Sequence, residues 1–147
     1  MNNIEVSDLK LKIIEECLIQ FNDQKNFVTL DAWKNSRAVK IFFYKKILPG
    51  LPAEEKLNLA IQIRKAATSI TLNIAEGYGR FHYKEEAQFY RISRGSLYEL
   101  LDALICCFDL DYISEEIFRE GFALIEEAKK MLNGYVRYIL NQKKIIE

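Results

Sequence analysis

A single histidine, two prolines and six glycines in 147 residues exclude several kinds of protein at the outset. With His82 as the one imidazole, multi-histidine metal centres are ruled out, and no Glu-x-x-His pair exists to build a di-iron site in a helical bundle. So little Gly and Pro argues against collagen-like, low-complexity and turn-rich all-β chains. The three cysteines, Cys17, Cys106 and Cys107, are an odd count without metal or redox spacing. Neighbouring positions on a helix point about 100° apart, so Cys106 and Cys107 are not expected to bridge each other. All three read as small core residues in a reducing compartment. No apolar run nears the roughly 18 residues of a membrane span, and none at the N-terminus is flanked by a cleavage site. Cytoplasmic localisation with no membrane partner is the expectation.

What the chain has in abundance is apolar and charged residues. Half of it is hydrophobic, enough at 17.2 kDa for one domain to bury a core without a disulfide or metal staple. Lys plus Arg and Asp plus Glu both number 21, so no global field draws a polyanion. The charge is nevertheless segregated: net −3 over residues 1–24, +6 over 25–65, +1 over 66–98, −8 over 99–127 and +4 over 128–147. Such blocks suit either complementary faces in an oligomer or a basic surface turned to a polyanion.

Apolar spacing is helical throughout. Ser7 and Asp8 open a helix that places Leu9, Ile13, Cys17 and Phe21 at four-residue steps, with Ile14 and Leu18 beside them. Four longer amphipathic segments follow, near 30–48, 53–76, 84–110 and 114–140. Pro49, Gly50 and Pro52 separate the first two. Gly77, Tyr78 and Gly79 close the second in the manner of a glycine cap, and Ser114, backed by Glu115 and Glu116, caps the last. Short connections force sequence neighbours to run antiparallel. The fold class is therefore all-α: an antiparallel up-down-up-down four-helix bundle over residues 29–147, with an additional N-terminal helix in an extension over 1–28.

Two antiparallel helices joined near residue 80 bring together positions whose numbers sum to about 160, since each rises about 1.5 Å per residue. That register sets Ala66, Ala67 and Ser69 against Arg91, Arg94, Gly95 and Ser96, with Gly95 wanted for close backbone approach, and puts Arg64 within a turn of Glu99. In the next hairpin Gly121 lies across from Ala103 and Gly134 across from Tyr90. Arg64, Asn73, Glu76, Arg94, Ser96 and Glu99 are thus candidates for a polar network that crosslinks helices. Crosslinking is favoured there over acid-base catalysis, an enzyme with a polar pocket around Glu76 and Arg94 standing as the third reading, and no cofactor or metal is implied. The GYGR run at 77–80 follows a helix and lacks both the strand and the Lys-Ser/Thr of a phosphate loop. Asp109, Asp111, Glu115 and Glu116 lack the central Gly and ligand spacing of a calcium loop. Trp33 and the tyrosines read as core or interface anchors rather than a base-stacking platform.

The run NIAEGYGR at Asn73–Arg80, preceded by IRKAATSI at Ile63–Ile70 and followed by FYRISRGSLYEL at Phe89–Leu100, resembles the four-helix bundle family of the 23S rRNA intervening sequences. LDAWKNSRAVKIFFYK at Leu30–Lys45 and MLNGYVRYI at Met131–Ile139 extend the likeness over residues 29–140. The resemblance implies a non-catalytic bundle whose relatives are encoded in inserted segments of bacterial 23S rRNA genes and elsewhere in genomes. It also implies kinship with the accessory variability proteins of diversity-generating retroelements, which are pentameric bundles that bind nucleic acid through basic surfaces and partner a reverse transcriptase. The chain departs from those proteins in its extra helix over 1–25 and its zero net charge.

On this footing the expected function is a non-enzymatic, self-assembling scaffold that engages RNA or DNA, or a nucleic-acid-processing partner. The other reading is a structural or protein-partner adaptor with no nucleic-acid contact. Candidate phosphate contacts are Lys34, Arg37, Lys40, Lys45 and Lys46, continued by Arg80, Lys84, Arg91 and Lys129. A ring of five is what the resemblance implies for assembly, and an excess of aromatics supports association. Phe42, Phe43, Tyr44, Tyr78, Phe81, Tyr83, Phe89, Tyr98 and Tyr138 cannot all enter one narrow core. The basic block of 25–65 meeting a neighbour's acidic block of 99–127 would give a heterologous contact able to close a ring.

Overall fold

In a computed structural model that describes residues 3–19, 26–80 and 82–146, apolar spacing becomes helix almost wherever the sequence predicts it. The described residues form five α-helices and no strand: α1 (Asn3–Ile19), α2 (Asp31–Phe42), α3 (Leu59–Tyr78), α4 (Tyr83–Asp109) and α5 (Glu115–Ile146). The last four make the antiparallel bundle. α2 packs on α3, α3 on α4, α4 on α5, and α5 back on α2. Each contributes an apolar stripe to one core in which Phe43, Ile63, Ile70, Leu97, Leu104, Ile125 and Leu132 are fully buried.

Asn26 starts the bundle by accepting a hydrogen bond from the Val28 N–H at 3.0 Å, and Phe27 in the turn that follows packs edge-on against Trp33, ring centroids 5.5 Å apart. α2 runs on through a π-helical turn at Phe43–Ile47 and a 3-10 turn at Leu48–Gly50. The wider turn lets the consecutive Phe42 and Phe43 both enter the core. α3 begins at Leu59 rather than near 53, because Ala53–Glu55 form a separate 3-10 turn after Pro52. Glu55 then reaches forward to accept the orphan Leu59 N–H at 3.3 Å. Ser114 caps α5 as expected, its Oγ accepting from the Ile117 N–H at 3.2 Å.

Several expectations are corrected. Gly79 ends α3 with a right-handed φ of −75°, and Gly77 lies inside the helix, so neither is a left-handed cap. Gly77 is there for packing: a β-carbon would lie 2.9 Å from Tyr90 Cε1 and 3.1 Å from the Glu86 carbonyl oxygen. In α1, Leu11 and Leu18, two turns apart, face the core, whereas Leu9, Ile13 and Cys17 face outward. Phe21, which would extend that outer row, lies outside the described residues. Of the cysteines only Cys107 is a buried core residue, and burial pushes its thiol up to about 11; Cys106 is half-buried.

The α3–α4 register also differs. The Ser93 hydroxyl donates to the Ile70 carbonyl at 2.6 Å and Ser96 Oγ donates to Ser69 Oγ at 2.8 Å, so facing positions sum to about 165 instead of 160. α3 persists to Tyr78 and α4 opens only at Tyr83, which moves the centre of the turn. That slip of three to five residues rotates Gly95 out of the seam: it is exposed, and a β-carbon there meets nothing within 4 Å. Buried Ser93 and Ser96 supply the close approach instead. Arg64 and Glu99 are both exposed and form no ion pair with each other. In the second hairpin Gly121 abuts Phe42 and Leu104, while Gly134 has no such neighbour.

Candidate nucleic-acid interface

Hairpin geometry assembles a basic cleft between α4 and α5. α4 presents Arg94 and Tyr98 one turn apart, and across the seam α5 presents Lys129, Lys130, Asn133 and Arg137 at three- and four-residue steps. Arg94, Lys129, Lys130, Asn133 and Arg137, though not Tyr98, line an open cleft of about 540 Å³ with Glu126 as its one acidic residue. Lys129 Nζ stands 4.4 Å from the centroid of the Tyr98 ring and the Arg94 guanidinium 5.9 Å from it. Hydrogen bonding from Arg94, then from Lys129, lowers the Tyr98 hydroxyl below the ordinary tyrosine pKa, a sign of local positive potential. Lys129 is itself held above its usual value, first by its 2.7 Å hydrogen bond to Glu126. The donors gathered here are of the kind that pair with phosphate or carboxylate oxygens.

The basic residues singled out from sequence fall mostly elsewhere. Lys34 pairs with Glu15 of α1 at 3.4 Å, and Lys46 pairs with Glu120 of α5 at 2.7 Å. Half-buried Lys40 donates to Thr71 Oγ1 at 2.9 Å, tying α2 to α3, and burial followed by the charge of Arg37 pulls its pKa down. Arg80 is a staple for the α3–α4 turn: it contacts Glu76 at 2.6 Å and Glu85 at 3.6 Å, and lies over the Phe89 ring at 5.1 Å. Lys45, Lys84 and Arg91 are exposed and Arg37 is half-buried. Lys129 is the member of that set that lines the basic cleft.

The six residues expected to form one polar network fall in five places. Asn73 and Ser96 meet through Ser69, whose Oγ lies 2.8 Å from each donor. Glu76 belongs to the Arg80 staple and Arg94 to the basic cleft. Arg64 and Glu99 line separate shallow depressions, one along α3 and one between α3 and α4. Lys130, Asn133 and Arg137 were not singled out from sequence. Their signal was present: the second hairpin pairs positions summing to about 226, as Tyr98 with Lys129 and Phe108 with Phe118 show, which brings Arg94 opposite Lys130 and its neighbours.

Among the described residues no group of three or more His, Cys, Asp or Glu is placed to hold a metal ion, and no helix is long and apolar enough to cross a membrane. The architecture is that of an all-α bundle with a cluster of cations between α4 and α5. Residues 28–134 match the 23S rRNA-intervening sequence protein family, and the chain belongs to it. No match to a curated protein is found. α1 and the last turns of α5 lie outside the matched segment.

Proposed function

We propose that this chain is a non-enzymatic helical scaffold that assembles with copies of itself and engages RNA, or a nucleic-acid-processing partner such as a reverse transcriptase. The observation that carries the reading is the α4–α5 cleft, where four cations and one carboxylate collect on a chain of zero net charge. Local segregation of this kind provides a phosphate-binding face without a global basic field. The kinship with retroelement accessory proteins that the sequence resemblance implies is the reason to name a reverse transcriptase.

Self-association is supported by surface area. The chain exposes 9462 Å², whereas a compact monomer of its mass exposes about 7,800 Å². Ile92, Ile105, Phe108 and Phe122 are each more than a third exposed along α4 and α5. A ring of five is the assembly we favour. Because Lys46 and Glu120 already pair within the chain, contacts between subunits would rest more on these apolar side chains than on opposed charge blocks. Three free thiols suit a reducing cytoplasm.

Titration of a labelled RNA at rising salt tests the reading. Four phosphate contacts give a log-log slope of about −3 on a single strand, and Arg94→Gln with Lys130→Gln should make it shallower by about 1.4. A chain that self-associates but binds no RNA at physiological salt would instead be a protein-partner adaptor. Zero net charge and the exposed apolar side chains favour that second reading.

A further inference from the structure

Two clefts meet along one edge of α5. The first is the basic cleft; the second, of about 530 Å³, lies between α5 and the start of α2 and includes Tyr135 and Tyr138 in its wall. Lys130 and Arg137 line both. We infer that the two form one composite site for single-stranded nucleic acid, with backbone phosphates on Lys130 and Arg137 and a base stacked on Tyr138. The inference rests on the nucleic-acid reading above and gives it a place and a strand type.

Spacing is the first argument. Lys130 and Arg137 stand two turns apart on one stripe of α5, about 10 Å along its axis, and so engage two points of a strand rather than one phosphate. Among the described residues neither is ion-paired. The second argument is the aromatic platform. Tyr138 is 57% exposed, yet its ring stacks on Tyr135 at 6.1 Å and 19°, and Tyr135 in turn packs on fully buried Tyr90 at 5.3 Å. One side of the ring is thereby backed by the core, and the platform is already ordered before a ligand arrives.

Stacking on such a ring tolerates every base, because every base has a π-face. Bases in a duplex are already stacked and offer no free face, so a platform beside two phosphate contacts selects single strands. Tyr98, outside the lining of the basic cleft, has Arg94 and Lys129 over its ring and so offers no free face.

Fluorescence anisotropy with a labelled single-stranded oligouridine, a duplex RNA of equal length and free uridine monophosphate tests the proposal on the full chain. Expected are preference for the single strand, a roughly tenfold or greater loss in Tyr138→Ala, retention in Tyr138→Phe, and weakening in Lys130→Gln and Arg137→Gln. Arg119→Gln, at the opposite end of α5, should leave affinity unchanged. Equal affinity for single strand and duplex, or a Tyr138→Ala variant that binds like the parent, overturns the composite site while the nucleic-acid reading stands. Uridine monophosphate competing as well as the oligomer overturns it in favour of a free-nucleotide site. Absence of binding to either RNA removes both readings.

Discussion

At Gly121 a β-carbon has nowhere to go: it would lie 2.6 Å from Phe42 Cε1 and 3.0 Å from Leu104 Cδ2, both in the core. Gly121→Ala should therefore destabilise the bundle by about 1–3 kcal/mol, the usual cost of overpacking. Gly95 is the contrast, a helical glycine with open space where its side chain would be. Gly95→Ala should stabilise by up to about 1 kcal/mol through helix propensity alone. Thermal or denaturant melts of the two variants check both signs, and equal effects would refute this account of the helix seams.

Glu86 is the other residue whose chemistry is set by burial. It is 8% exposed, accepts the Tyr90 hydroxyl at 2.7 Å, and burial raises its pKa above the ordinary carboxylate range. A carboxyl whose folded pKa is raised is favoured protonated, so its contribution to stability is intact below the unfolded pKa and is lost as pH climbs through the folded one. Glu86→Gln keeps an acceptor for Tyr90 and removes the charge. It should melt above the parent at neutral pH, and the gap should close as pH falls below the carboxylate range. A gap unchanged by pH would show that Glu86 is not penalised for ionising.

At the level of elements, the amphipathic periods of α2 through α5 were legible because each core stripe repeats at helical spacing over several turns, as Ile63, Ala67, Ile70 and Ile74 do. Register was not. A turn displaced by two or three residues moves every facing pair by twice that number, and this error made Gly95 look like the seam residue in place of Ser93. α1 was misread for a related reason: Leu9, Ile13 and Cys17 form a tidy row, but a helix apolar on two sides does not say which side the bundle takes. The basic cleft was half-legible, since Arg94 and Lys129 were both noticed but assigned to different sites. Ser93→Leu tests the corrected register. Its hydroxyl is fully buried against the Ile70 backbone, so the larger side chain should push α3 and α4 apart and cost at least about 1–3 kcal/mol, read as a lowered melting midpoint. An unchanged midpoint would contradict the seam described here.

At the scale of the whole molecule, charge is sorted by place rather than by amount. The α4–α5 turn gathers Asp109, Asp111, Glu115 and Glu116, while Arg94, Lys129, Lys130 and Arg137 lie toward the other end of the same hairpin. On the proposed reading such a hairpin would meet a phosphate backbone at one end and repel it at the other, which would orient the chain on a strand. Light scattering at micromolar concentration and physiological salt, with and without a single-stranded RNA, tests the central claim of an assembling, RNA-engaging scaffold most directly. The account predicts a mass near five times 17.2 kDa that rises when RNA is added. Two or four subunits would exclude the five-membered ring alone, whereas a mass of one subunit that RNA leaves unchanged would contradict the claim outright.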